Sequence, residues 1–221
     1  MTRIIVLRPE LGASATVAKA RERGLDAALI PLFTVEPVAW EAPEAVGFDG
    51  LLLTSANALR CGGDGLEALR GLKAYAVGEA TAEAARAAGF DIAANGDAGV
   101  DRLLRSIEPD LKLLHLCGED RREPREAKQK ITAVTVYRAK PVDATDLGGI
   151  RGAIALIHSP RAGQRFAELV CDRGATSIAA ISEAAAEAVG EGWARIEVAD
   201  QPSDDALLAL AARLCDKPDP K

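Results

Sequence analysis

The sequence predicts an α/β protein of two doubly wound parallel-sheet domains derived from an internal duplication, with a two-stranded connector joining them and a cleft between them. Three observations lead there. Short apolar runs of strand length alternate with helix-length segments along the whole chain, the pattern of parallel sheets with helices on both faces. Residues 51–59 (Leu-Leu-Leu-Thr-Ser-Ala-Asn-Ala-Leu) and 155–163 (Ala-Leu-Ile-His-Ser-Pro-Arg-Ala-Gly) are near copies. Each is an apolar run that ends in hydroxyl or polar residues, as a buried parallel strand does where it meets a loop and a helix. Ser55 and Ser159 lie 104 residues apart, and Phe33 with Tyr137, Pro37 with Pro141, Gly78 with Ser182, Ala82 with Ala186 and Leu103 with Leu207 match at the same separation. A repeat of that length is a domain and not a solenoid unit.

In order, residues 3–8 form a short strand closed by Arg8-Pro9, and a helix runs from Ser14 to Arg23, where Gly24 stops it. A strand is predicted over Leu29–Val35, ended at Glu36-Pro37 because proline cannot donate to a ladder. A crossing through Pro43 and Gly47 leads to the strand at 51–53, with helix from Ala56. Then come a strand over 72–78, an alanine-rich helix over 81–88 ended by Gly89, a strand over 91–94, a loop at 95–99 and a helix over 101–107. The second copy starts at Leu113–Cys117. A charged helix is predicted after Gly118, and Ile131–Arg138 is read as the counterpart of Leu29–Val35. A crossing through Lys140-Pro141 and Gly148-Gly149 precedes the strand at 154–158, the helix at 162–172, the strand at 177–181, the helix at 183–189, the strand at 195–198 and the helix at 204–215. The last residues, 216–221, read as a frayed tail. In such sheets ligands sit outside the strand carboxyl ends. The positions to inspect are therefore Arg8, Thr54, Ser55, Gly78, Gly118, Ser159 and Ser182.

A chain of 221 residues, 48% hydrophobic, can bury two cores of about 100 residues each. No run approaches the ~20 apolar residues needed to span a bilayer; a soluble, untargeted, cytoplasmic protein without membrane partners is expected. The net charge of −6 argues against nucleic acid as partner, since phosphates require a basic footprint. Arg121, Arg122, Arg125, Lys128, Lys130, Arg138 and Lys140 make one basic stretch, diluted by Glu119, Asp120, Glu123 and Glu126. The four cysteines are dispersed and only two histidines accompany them, so no metal site is expected. The segment Cys61-Gly62-Gly63-Asp64-Gly65 lacks the lysine-serine ending of a phosphate loop. Ser55 and Ser159 lack the G-x-S-x-G elbow of a serine hydrolase. What remains is a set of hydroxyls and glycines at strand ends ahead of helices, where free backbone N–H groups and the helix dipole attract carboxylate or phosphate. Ser55, Thr81 and Ser159 fit simple N-caps equally well. Tyr137 adds a hydroxyl where its repeat partner is Phe33.

In this order and spacing the chain resembles the uroporphyrinogen-III synthase family, through Leu7-Arg8-Pro9, Leu53-Thr54-Ser55-Ala56-Asn57-Ala58, Ala76-Val77-Gly78-Glu79-Ala80-Thr81-Ala82, residues 117–123 (Cys-Gly-Glu-Asp-Arg-Arg-Glu), Val134-Thr135-Val136-Tyr137-Arg138 and Ser159-Pro160. The resemblance implies a discontinuous first domain, 1–36 plus 142–221, a second domain, 37–141, and connector strands near 33–38 and 136–142. It implies a lyase of tetrapyrrole (porphyrin and heme) biosynthesis that cyclises hydroxymethylbilane to uroporphyrinogen III without a cofactor. Water is lost and the last pyrrole ring is inverted. The substrate would come from hydroxymethylbilane synthase, and the protein would be a monomer. Tyr137 takes the place of the general acid. Arg8, Thr54, Ser55, Asn57, Gly78, Thr81, Gly118, Arg121, Ser159, Pro160, Arg161 and Ser182 take the places of substrate contacts. The second glycine-threonine motif departs from the pattern, with Ser182 for glycine and Ala185 for threonine. A non-catalytic two-lobed binding module and a nucleotide-dependent enzyme of the same sheet class are the competing readings.

Overall fold

The computed structural model describes residues 2–10, 12–96, 99–121, 123–143 and 147–216. Arg122 of the basic stretch, part of the 95–99 loop and residues 217–221 of the expected tail therefore lie outside the described residues. Along the chain the elements are β1 (Ile4–Val6), α1 (Gly12–Glu22), β2 (Ala27–Leu29), β3 (Phe33–Pro37), β4 (Gly50–Leu53), α2 (Asn57–Cys61), β5 (Lys73–Val77), α3 (Glu79–Ala87), β6 (Ile92–Gly96), α4 (Val100–Ser106), β7 (Lys112–Gly118) and β8 (Lys130–Pro141). They continue with β9 (Ile154–Ile157), α5 (Pro160–Leu169), β10 (Ser177–Ala180), α6 (Glu183–Val189), β11 (Arg195–Val198) and α7 (Asp204–Asp216). The chain divides into two compact units: residues 1–34 with 141–221 (unit 1) and residues 35–140 (unit 2).

Unit 1 holds a sheet of order β11-β10-β9-β1-β2, parallel throughout. Strand alternation splits its apolar residues between two faces. Ile4, Val6, Ile154, Leu156 and Ala179 pack with Ala13, Val17 and Ala20 of α1 and with Leu207, Leu208 and Leu214 of α7. Ile5, Ala155, Ile157 and Ile178 are as deeply buried on the other side, where α5 and α6 contact β9 and β10. These two helices pack tightly: a Cβ at Gly163 would lie 3.0 Å from the Ala185 carbonyl oxygen and from Val189 Cγ1. Three helix starts are written in the sequence. The Ser159 hydroxyl accepts from the Ala162 N–H with Pro160 in the first turn, the Ser182 hydroxyl accepts from the Ala185 N–H, and the Ser203 hydroxyl accepts from the Ala206 N–H ahead of Asp204 and Asp205.

Unit 2 repeats the scheme in a sheet of order β3-β8-β7-β4-β5-β6, with β8-β7-β4-β5-β6 parallel. Leu51, Leu53, Leu114, Leu116 and Val136 pack with Ala58 and Leu59 of α2 and Ala85 of α3. Leu52 and Leu113 face Leu103 and Leu104 of α4. Once the repeat is aligned, with β7 in the place of β1, both sheets contain the strand order 2-1-3-4-5, to which the second adds β3 beside β8. Connections leave to opposite faces at one point in each, β1/β9 in unit 1 and β7/β4 in unit 2, and that switch point opens a crevice at the strand carboxyl ends.

Two expectations are corrected. Among the described residues no helix follows Gly118: 119–121 and 123–129 are irregular. They offer only Ala127 as an apolar side chain besides Pro124, so no stripe exists to bury. This stretch is tied to α4 by polar contacts. Gln129 Nε2 donates to the Leu104 and Glu108 carbonyls (both 2.9 Å), the Arg125 N–H donates to Asp101 Oδ1 (2.9 Å), and Arg105 pairs with Glu126. Second, Leu29–Val35 is not one strand. Ile30-Pro31-Leu32 separates β2 from β3, whereas the counterpart Ile131–Arg138, which has no proline, runs unbroken within the twelve-residue β8.

Leu156 is fully buried in the central strand of unit 1. Leu156→Ala is expected to cost about 2–5 kcal/mol in urea-induced unfolding; a loss within ~0.5 kcal/mol, typical of surface positions, would remove β9 from the core.

Candidate active site

In unit 2 the switch point is built from β4, β7 and β8. The β7–β8 register runs evenly to Cys117 opposite Thr135, then shifts so that Gly118 faces Tyr137. Such an irregularity re-aims a side chain, and here it brings the Tyr137 ring against the Gly118 backbone. A Cβ at Gly118 would lie 2.6 Å from Tyr137 Cε2, 2.7 Å from Cζ and 3.0 Å from the phenol oxygen, so only glycine admits the ring. Burial pushes the Tyr137 pKa up, and hydrogen bonding from Ser55 and the Gly118 main chain only partly opposes it; the thiols of Cys117 and Cys61 push the same way as burial. The phenol therefore keeps its proton at neutral pH.

Ser55 follows β4, and its Oγ accepts from the Asn57 N–H (3.2 Å), while Asn57 Oδ1 accepts from Arg60 (3.3 Å). Thr54 Oγ1 and His115 Nε2 are 3.0 Å apart. His115 is buried on β7, and burial first, then the Arg121 charge, lower its pKa from 6.5 to about 4. The Arg121 guanidinium is 3.5 Å from Glu123 and also close to Cys117. At the β5 end, Gly78 has φ 84° and ψ 144°, a conformation that favours glycine. Its repeat partner Ser182 is extended, at φ −160° and ψ 161°, with its hydroxyl spent on capping α6. The exchange of glycine for serine thus goes with a different backbone. Thr81, in the first turn of α3, is 6% exposed.

In unit 1 the β9 end carries Ser159, also committed to capping, then Pro160 and Arg161, whose guanidinium carbon stands 4.6 Å from the Phe33 ring centroid. Arg8, after β1, joins a group that sequence reasoning did not assemble. His158 Nε2 is 3.0 Å from Asp204 Oδ1; Thr16 Oγ1 is 2.9 and 3.1 Å from the two Asp204 oxygens; Arg8 Nη1 reaches Thr16 Oγ1 at 3.4 Å and Asp204 Oδ1 at 3.5 Å. Burial favours the neutral acid of Asp204, yet the hydrogen bond and charge of His158, with Thr16 and Arg8, outweigh it and hold the carboxyl below its usual range. One signal for this cluster was readable: His158 stands 104 residues after Thr54, so both copies put a strand-end hydrogen-bonding residue there.

Fold and site define a class: a duplicated α/β protein whose sheet ends offer hydroxyls, a protonated tyrosine and guanidinium groups. The model of the family "Uroporphyrinogen-III synthase HemD" matches residues 14–209, and the chain belongs to that family. Among solved structures it is similar to uroporphyrinogen-III synthetase from Helicobacter pylori, at 18% identity and TM-score 0.67 over 97% of this chain and 100% of that one. It is also similar to a mutant uroporphyrinogen III synthase from the extremely thermophilic bacterium Thermus thermophilus, at 18% identity and TM-score 0.52 over 98% and 100%. These likenesses are of fold. No curated protein sequence matches the chain significantly.

Because His115 titrates near 6.5 when unfolded and near 4 when folded, the unfolded state takes up the proton first as pH falls. Its contribution is whole above pH 6.5 and is lost progressively down to about pH 4. Between pH 7 and pH 5 the wild type should lose roughly 2 kcal/mol more stability than His115→Gln, measured by urea unfolding at each pH; equal losses would show that His115 is not held neutral.

Proposed function

We propose that the chain is a uroporphyrinogen-III synthase that cyclises hydroxymethylbilane to uroporphyrinogen III, with loss of water and inversion of ring D, without a cofactor. The observation that carries this reading is the Tyr137 phenol, kept protonated at the unit 2 switch point and set by Gly118. The pyrrole nitrogen of the ring that bears the hydroxymethyl group, at the other end of the chain from ring D, pushes out the hydroxyl and leaves an electrophilic azafulvene. Tyr137 donates its proton to the departing hydroxyl, which leaves as water. Ring D then attacks the azafulvene methylene carbon through its substituted carbon to give a spiro intermediate. The bond from this substituted carbon to the methylene of the preceding ring breaks, that methylene re-bonds at ring D's unsubstituted carbon, and the proton lost there restores the Tyr137 phenol, so the protein's main contribution is to hold the chain folded. No helix among the described residues is long and apolar enough to cross a membrane.

The acetate and propionate groups of the substrate give the strand ends their purpose. Arg8, Arg161 and the backbone near Ser159, Pro160 and Ser182 supply contacts from unit 1. Thr54, Ser55, Asn57, Gly78, Thr81, Gly118 and Arg121 supply them from unit 2. The reading includes a cytoplasmic monomer fed by hydroxymethylbilane synthase, because the open chain closes spontaneously to the non-inverted isomer and gains from rapid transfer. It also includes domains at 1–36 plus 142–221 and at 37–141 with a connector of two strands. That assignment is supported by β3 and β8 being neighbours in the sheet order and by unit boundaries at 34/35 and 140/141.

A coupled assay that generates hydroxymethylbilane in situ and resolves product isomers tests the proposal. Tyr137→Phe is expected to lower isomer III formation by about 10²- to 10⁴-fold, and Gly118→Ala, which displaces the ring, should reproduce much of that loss. Full turnover by Tyr137→Phe would return Tyr137 to a packing role. If the wild type makes no isomer III above the spontaneous background, the enzyme reading fails and the non-catalytic binding module takes its place.

A further inference from the structure

The Arg8, Thr16, His158 and Asp204 group is a polar chain that rises from the core of unit 1 to its surface. Thr16 is fully buried, the His158 side chain is 8% exposed, that of Asp204 21% and that of Arg8 36%. Its members come from four elements or their ends: α1, the β9 end, the first turn of α7 and the β1 end. The Asp204 carboxylate is the hub. It receives the Thr16 hydroxyl and His158 Nε2, and it sits in the first turn of a thirteen-residue helix, where the dipole favours negative charge. Arg8 is held differently. Among the described residues its polar contacts run through Nη1, to Thr16 and Asp204. The rest of the guanidinium packs against Gly12, where a Cβ would stand 2.7 Å from Nε and Nη2.

We propose that Asp204 is the positioning residue of the unit 1 site: with Thr16 and His158 behind it, it fixes Arg8 over Gly12 so that the guanidinium offers a pre-oriented edge to a substrate carboxylate. The inference rests on the synthase reading only for the substrate's name; what it requires is a polycarboxylate ligand. An arginine donates in a rigid planar fork, and it binds carboxylate best when that fork is not free to swing. Asp204 engages one nitrogen and leaves the others for the ligand. The alternative is that Asp204 serves only to start α7 and join it to α1. In that case its removal would weaken the fold but would not be coupled to Arg8.

The test is a double-mutant cycle read by binding, with uroporphyrin III as the probe in fluorescence titration and hydroxymethylbilane turnover measured in parallel. Arg8→Ala and Asp204→Asn should each weaken binding roughly 10- to 30-fold. The double variant should be no weaker than Arg8→Ala alone, because a residue acting through another loses its effect when that other is gone. In turnover, Asp204→Asn should raise KM by a similar factor and leave kcat near its wild-type value. Should Asp204→Asn fail to fold, Gly12→Ala serves in its place: the Cβ displaces only the far end of a flexible side chain. It should weaken binding several-fold in the wild-type background and not at all after Arg8→Ala. Equal effects in both backgrounds, or unchanged binding in the single variants, would overturn the proposal, as would absence of probe binding by the wild type. Probe binding with the expected coupling but no isomer III would sink the synthase reading and leave the positioning role standing.

Discussion

A parallel sheet delivers all its strand carboxyl ends to one edge, and this constraint governs the molecule. Each crossover passes over one face or the other, and all but the β7–β8 link carry a helix among the described residues, so the loops after the strands gather where no helix lies in the way. With the order 2-1-3-4-5, neighbouring connections part once in each sheet, and the parting leaves a recess floored by two strand ends. In unit 1 those ends carry Arg8 and His158-Ser159; in unit 2 they carry Cys117-Gly118 and Thr54-Ser55. The polar groups at issue are thus where backbone topology makes burial incomplete. The strands that end there, β1, β9, β4 and β7, are apolar because they are covered on both sides.

The same logic explains what could be read without coordinates. Runs such as Leu51-Leu52-Leu53 and Ala155-Leu156-Ile157 have no polar face, so they announce two-sided burial and a parallel sheet. The 104-residue spacing makes the duplication visible, and Ser159-Pro160 spells out a helix start. Residues 119–129 mislead because their high charge resembles that of a solvated helix; a surface helix also needs an apolar stripe, and one alanine supplies none. The register shift opposite Cys117 was invisible, since both strands look regular in sequence. Yet it is what sets Tyr137 against Gly118. The Asp204 hub was hidden for another reason. Asp204 and Thr16 are 188 residues apart and meet only when α1 and α7 share a face of one sheet.

Duplication supplied two similar recesses, and substitution has made them unlike. At the repeat positions Thr54 and His158, unit 2 has a hydroxyl that leans on a neutral histidine, while unit 1 has a histidine that leans on a carboxylate. At Gly78 and Ser182 the two backbones differ. Burial raises the pKa of the Tyr137 phenol in unit 2; in unit 1 the Asp204 carboxyl stays ionised despite burial because it has three partners. One recess is therefore suited to giving up a proton, the other to holding a cation in place.

That division suits a polyanionic ligand on a protein of net charge −6. Long-range attraction cannot draw such a ligand in; screening confines electrostatics to about 8–10 Å at physiological salt. Affinity must then come from a few donors already aimed at carboxylates, and a cation that must first be ordered would lose much of its value to conformational entropy. Asp204 partly neutralises Arg8 and so weakens its bare pull. What it returns is orientation, and for a planar guanidinium meeting a planar carboxylate, orientation decides whether two parallel hydrogen bonds form or one.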